Sequence, residues 1–112
     1  MATSEGLFTA EVAGPPEGPL VLFLHGFPQT RHTWRHQVPA LGRAGYRAVA
    51  PDQRGYSPGV RPDPARNLTA YHVDRLAADV VDLAGATAGG RAGKFHLVGH
   101  DWGGHVAWVV AD

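Results

Sequence analysis

The chain reads as an α/β protein built on a parallel sheet, with strands and helices alternating from residue 20 onward. Three observations carry that reading. Residues 20–24 (Leu-Val-Leu-Phe-Leu) form a continuous apolar run, the pattern of a strand buried on both faces. Val73, Leu76, Ala77, Val80, Leu83 and Ala84 make one apolar stripe at helical spacing. A second apolar stretch, residues 95–98, leads directly into Gly99-His100-Asp101-Trp102-Gly103-Gly104. Alternation at this spacing implies right-handed crossovers between parallel strands.

The elements follow in order. Residues 7–12 are a short strand candidate, ended by Gly14-Pro15-Pro16-Glu17-Gly18-Pro19. The 20–24 strand is broken by His25-Gly26-Phe27-Pro28. Trp34, Val38 and Leu41, spaced by four and three, predict one apolar helix face, kept short by Gly42 and Gly45. Residues 46–50 are the next strand, closed by Pro51-Asp52, and residues 53–67 are loop, rich in glycine and proline. The longest helix is expected over 69–87, capped by Asn67 or Thr69, with Asp74, Arg75, Asp79 and Asp82 off its apolar stripe. A strand over 95–98 and a helix from Gly103 onward complete the series. The expected organisation is an N-terminal strand with its Pro/Gly-rich turn over 1–19, then a core domain over 20–112.

Composition narrows the function. The 112 residues suffice for one small domain, and 44% hydrophobic content suits a packed core. Ten Lys+Arg balance ten Asp+Glu with no basic run, which argues against a nucleic-acid partner. With no cysteine, disulfides and thiolate metal sites are excluded. No stretch approaches the roughly 20 apolar residues of a membrane span, and the first residues lack a secretory pattern. The expectation is a cytoplasmic protein acting on a small molecule. Its oligomeric state is open.

An open parallel sheet places its chemistry at the carboxyl ends of its strands. Three segments fall there. In Gly99-His100-Asp101-Trp102-Gly103, the glycines at 99 and 103 permit a strand-to-helix turn so tight that the residue between them is pushed outward. Serine commonly holds that place and attacks acyl carbons. An aspartate is already ionised at neutral pH, so it can attack an alkyl carbon with no proton removed first. Read alone, Asp101 would be a helix cap. In His25-Gly26-Phe27-Pro28, Gly26 permits an unusual backbone angle and Pro28 a cis bond. Such a turn can aim the Phe27 backbone N–H at a developing anion, with the Trp102 N–H as its partner in an oxyanion hole. An ordinary Gly-Pro turn fits as well. In Asp52-Gln53-Arg54-Gly55-Tyr56, Asp52 and Arg54 are read as structural, forming an ion pair or stiffening the loop. Trp102 is either core or pocket lining. His25 and His100 adjoin glycines in tight turns, where structural hydrogen bonding is their expected job. His32 and His36, four apart on a helix, have no carboxylate placed to complete a metal site, so no metal is expected.

These segments resemble the α/β-hydrolase fold superfamily, and within it the epoxide hydrolase-like group with an aspartate nucleophile. The resemblance covers residues 20–111. It rests on His25-Gly26-Phe27-Pro28, on residues 34–41 and 44–47, on Asp52-Gln53-Arg54-Gly55-Tyr56, and on Gly99-His100-Asp101-Trp102-Gly103-Gly104. Ser57-Pro58 departs from the family's loop pattern, a variant with little expected consequence for the chemistry. Haloalkane and haloacetate dehalogenases share the aspartate elbow, but the haloalkane group usually has a polar residue where Phe27 stands.

The resemblance implies the N-terminal half of the fold, ending in the nucleophile-elbow helix. It implies hydrolysis of an epoxide through an Asp101 alkyl ester, with no cofactor. Asp101 is the catalytic residue, and Phe27 and Trp102 supply the oxyanion-hole N–H groups. His25, Gly26, Pro28, Gly99, His100 and Gly103 support the two turns. The family's cap domain, with its epoxide-binding tyrosines, and its late acid and histidine are not among the 112 residues. The parent would be a hydrolase, and this chain alone is expected to be inactive and prone to association. Two alternatives stand beside this reading: a dehalogenase using the same Asp101, and a non-catalytic truncated fragment.

Overall fold

A computed structural model describes residues 2–3, 6–26, 30–54, 57, 59–61, 72–87 and 94–111. Six strands are described: β1 (Ala2–Thr3), β2 (Gly6–Leu7), β3 (Ala10–Ala13), β4 (Leu20–Leu24), β5 (Arg47–Pro51) and β6 (His96–Gly99). Three α-helices accompany them: α1 (Gln37–Arg43), α2 (Val73–Gly85) and α3 (Trp102–Ala111). β1 and β2 form a small antiparallel pair, and the other four strands make one sheet in the order β3-β5-β4-β6.

The sheet is mixed, not wholly parallel as the alternation predicts. β5 and β6 both run parallel to β4, but β3 is antiparallel to β5. The reason lies in the link between β3 and β4. A parallel crossover needs a dozen or more residues, and only Gly14 to Pro19 are available, closed by a turn in which Gly18 N–H donates to the Pro15 carbonyl (3.0 Å). The chain can do nothing there but reverse. The predicted 7–12 strand also divides in two, because Phe8 and Thr9 leave the extended ladder between β2 and β3.

All five β4 residues are buried, and their alternation sorts the core into two layers. Leu20, Leu22 and Leu24 point to the side of α2 and α3, where Val49, Leu76, Val80, Ala84 and Val106 join them. Val21 and Phe23 point to the other side, with Val38, Ala48 and Ala50, and with Trp34 and Leu41 packed at the margin. Trp34 belongs to a short 3-10 helix, Arg31–Trp34, that precedes α1. His32 therefore lies in that 3-10 turn and His36 at the cap of α1, so the two do not share one α-helix.

Two details of α2 depart from expectation. Its N-cap is His72, whose ring nitrogen accepts from Asp74 N–H at 3.2 Å. The expected caps Asn67 and Thr69, and the helix start at 69, lie outside the described residues. Asp79 is buried at 4% exposure, not solvated. It lies three residues after Leu76 and four before Leu83, on the same helical face, and it receives the Arg54 guanidinium at two oxygens, 2.8 and 2.7 Å.

Candidate active site

The site forms where β4 and β6 end side by side, with Leu24 paired to Gly99. From Gly99 the chain turns through His100 and Asp101 into α3. Asp101 is the one non-glycine residue among those described with positive φ, at 56°. L-residues rarely hold that left-handed conformation, and aspartate is among those that tolerate it best. Backbone bonds fix the turn. His100 N–H donates to the Leu24 carbonyl (3.2 Å), the His100 carbonyl accepts from Gly103 N–H (3.0 Å), and the Asp101 carbonyl accepts from His105 N–H (3.2 Å). The result lifts Asp101 out at the tip, exposed, as the sequence predicts for an elbow.

Close approach explains two of the glycines. A Cβ on Gly103 would lie 2.2 Å from the Leu24 carbonyl oxygen and 2.6 Å from that of His25, so the first turn of α3 presses directly on the end of β4. A Cβ on Gly26 would lie 2.7 Å from Asp101 Cβ and 2.9 Å from its Oδ2. Gly26 is thus the wall against which the carboxylate rests. The expected Phe27 donor and the Pro28 bond lie outside the described residues. Trp102, the expected second donor, opens α3, where the first N–H groups have no partner in the helix's own ladder. The residue is 38% exposed and its indole lies against His105 (centroids 5.1 Å apart), so it is not a core residue.

His25 is structural, as expected. It is 1% exposed. Its Nδ1–H donates to the Gly26 carbonyl (3.1 Å), and its Nε2 accepts from Gln53 N–H (3.0 Å). These neighbours select the neutral Nδ1–H tautomer. Burial pushes its pKa below the ordinary value, against the opposing pulls of the Gly26 carbonyl and the Asp52 carboxylate. With both ring nitrogens engaged, His25 is not placed to serve as the base.

The loop after β5 is the part that sequence reasoning resolved least. Asp52 and Arg54 are structural, but each is bonded far along the chain. Asp52 accepts the Arg31 N–H (2.7 Å) and the Arg31 guanidinium, while Arg54 is seated on Asp79. Arg31 also reaches Glu11 at 3.1 Å. Ser57, part of a loop variant with little expected consequence for the chemistry, is fully buried. Its hydroxyl donates to the Asp52 carbonyl and accepts from Thr9 N–H (3.1 Å), tying β5, its loop and the start of β3 together. Among the described residues, no group of three His, Asp or Glu side chains is arranged to hold a metal. Two apolar clefts of about 640 and 300 Å³ border β6 and α3, and Asp101 lines neither.

The family model for the alpha/beta hydrolase fold matches residues 19–112. The chain belongs to the α/β hydrolase fold family. Within the family it is 48% identical over 96 residues to epoxide hydrolase A of Mycobacterium tuberculosis, a match covering 86% of this chain and 28% of that protein. It is 41% identical over 99 residues to the AB hydrolase superfamily protein YfhM of Bacillus subtilis, covering 88% of this chain and 32% of the relative. Among solved structures, epoxide hydrolase A from Mycobacterium thermoresistibile superimposes with a TM-score of 0.87 at 40% identity, over 99% of this chain and 33% of that one. An epoxide hydrolase from Vigna radiata gives 0.84 at 39% identity, over 98% and 33%. The chain therefore spans about a third or less of the length of the α/β hydrolases it matches. No helix among the described residues is long and apolar enough to cross a membrane.

Proposed function

We propose that this chain carries the nucleophile of an epoxide-opening hydrolase, with Asp101 as the attacking group. The observation that supports this best is the left-handed backbone at Asp101, held on an elbow whose far wall is Gly26. Strain of this kind, overdetermined by its surroundings, is a mark of functional positions. A helix cap has no use for it, since an ordinary cap residue sits in extended backbone.

The chemistry follows from the geometry. The Asp101 carboxylate attacks the less hindered epoxide carbon, the carbon–oxygen bond of the ring breaks, and its electron pair stays on oxygen. An acid from outside these 112 residues protonates that alkoxide, leaving a hydroxyalkyl ester on Asp101. Water, deprotonated by a histidine also from outside the chain, attacks the ester carbonyl carbon. The Trp102 and Phe27 N–H groups hold the oxyanion, each worth about 10²–10³-fold in rate. The ester then collapses, the diol leaves, and Asp101 keeps one oxygen from water. No cofactor enters the sequence of steps. The substrate is a small epoxide met in the cytoplasm, and the relatives named as epoxide hydrolases favour it over an organohalide.

The test is a single turnover in ¹⁸O-water with the full-length protein that carries this chain. Label is expected in the Asp101 carboxylate, with none in the first diol released. Label in the diol alone would mean direct attack by water and would remove the nucleophile role. Asp101→Asn is expected to lower the rate by about 10⁴-fold or more. Halide release from a haloalkane without diol formation from an epoxide would assign the same Asp101 attack to carbon–halogen cleavage. A full-length protein inert to both would leave a non-catalytic role.

A further inference from the structure

We propose that Gln53 is a positioning residue for Asp101, acting through His25 and Gly26; the inference rests on Asp101 being the nucleophile. Gln53 is 5% exposed and makes two bonds to the same residue. Its backbone N–H donates to His25 Nε2 (3.0 Å), and its side-chain amide donates to the His25 carbonyl (2.7 Å). That carbonyl belongs to the peptide joining His25 to Gly26, and Gly26 is the wall of the Asp101 carboxylate. Gln53 thus holds the peptide that carries the wall.

Two further observations turn this contact into a device. Gln53 Oε1 is buried with no hydrogen-bond partner among the described residues. An apolar side chain of the same length would fill the position without that unsatisfied oxygen. What the amide adds is the donor aimed at the His25 carbonyl. The neighbouring Asp52 holds Arg31, accepting its backbone N–H at 2.7 Å together with its guanidinium. Residues 25 and 31 are both tied to the consecutive pair Asp52-Gln53. A small shift of a wall that touches the nucleophile alters attack geometry, to which rates are steeply sensitive.

The test separates positioning from folding by reading the rate per active site. In the full-length protein, the burst of alkyl-enzyme formation gives two quantities: its amplitude counts working sites and its rate reports their quality. Gln53→Met keeps the length and loses the donor, so the burst rate is expected to fall about tenfold with the amplitude unchanged. Gln53→Glu supplies a second, independent readout. Neutral, its carboxylic acid donates O–H to the His25 carbonyl; ionised, it cannot. Its burst rate is expected near wild type at low pH and to fall as the glutamate ionises, a limb absent from the wild-type profile. If Gln53→Met fails to fold, that limb decides. Wild-type burst rates for the Gln53 variants at all pH values, in a protein that Asp101→Asn inactivates, would overturn the positioning role alone. A burst that survives Asp101→Asn would overturn the nucleophile assignment and this inference with it.

Discussion

At the end of β4, His25 is 1% exposed, neutral and bonded at both ring nitrogens. Beside it, at the end of β6, Asp101 is exposed and held at φ 56°. The two strands are parallel and in register, yet one ends at a buried histidine bonded at both ring nitrogens and the other at an exposed aspartate in left-handed backbone. The difference continues along the strands themselves. β4 lies wholly in the core, whereas β6 has no buried residue, and Trp108 in the following helix is 79% exposed. The strand that leads to Asp101 is thus not the one that holds it in place. Rigidity is supplied by the neighbour, across contacts too close for any side chain larger than hydrogen.

The sharpest way to break that arrangement is to force the two ends apart. Gly103→Ala places a Cβ 2.2 Å from the Leu24 carbonyl oxygen, and that oxygen belongs to backbone that cannot give way. α3 must lift off β4. A loss of about 3 kcal/mol is expected, at the upper end of ordinary overpacking. It would be read as a lower urea midpoint at unchanged slope. A change within about 0.5 kcal/mol, the range of an inert surface site, would mean that the contact between the two ends carries no stability.

The second effect belongs to the β4 side alone and is a function of pH. Folding lowers the His25 pKa by burial, so the unfolded chain binds the proton more readily than the native one. Stability is then fully present above the ordinary histidine value of about 6.5 and is lost as pH falls below it, through the depressed native value. One proton sets the limit, about 1.4 kcal/mol per pH unit. Urea midpoints between about pH 8 and 5 should therefore slope more steeply in the wild type than in His25→Gln. Parallel slopes would show that His25 is not held neutral, and the contrast between the two strand ends would lose its electrostatic part.

What could be read from the sequence follows the same division. β4 was legible at both ends, because an uninterrupted apolar run has a clear beginning and end. The elbow was legible because Gly99, Asp101 and Gly103 are spaced for a turn that a larger residue would block. Harder to see were contacts made by residues of the wrong type for their place. Asp79 lies on the buried face of α2, and its charge disguised that until Arg54 was seen to neutralise it. Asp52 and Arg54, two apart, looked like partners, but their bonds run to Arg31 and Asp79, each more than 20 residues away. Nothing local encodes such pairings. The direction of β3 was in principle available from the shortness of the link to β4, a signal that strand-helix alternation overrode. Gln53 stands out only as a member of the Asp52-Gln53-Arg54-Gly55-Tyr56 segment, and nothing local encodes which atoms of His25 it meets.

The smallest expected effect has the opposite sign and concerns the β6 side. Asp101→Gly removes the side chain that makes φ 56° costly. Left-handed backbone costs an ordinary L-residue roughly 1–2 kcal/mol, and aspartate less. Replacing an aspartate by glycine at a helix cap forfeits a few tenths. Contacts of the carboxylate itself also go. The balance is a gain of about 0.5 kcal/mol in stability, in a protein that the proposed role of Asp101 makes inactive. Stability rising as activity disappears is what a strained nucleophile requires, because the backbone energy is spent on aiming the carboxylate. If Asp101→Gly instead lowers the urea midpoint, the left-handed turn is held for the fold's sake. The open end of β6 would then resemble the closed end of β4 more than their exposure suggests.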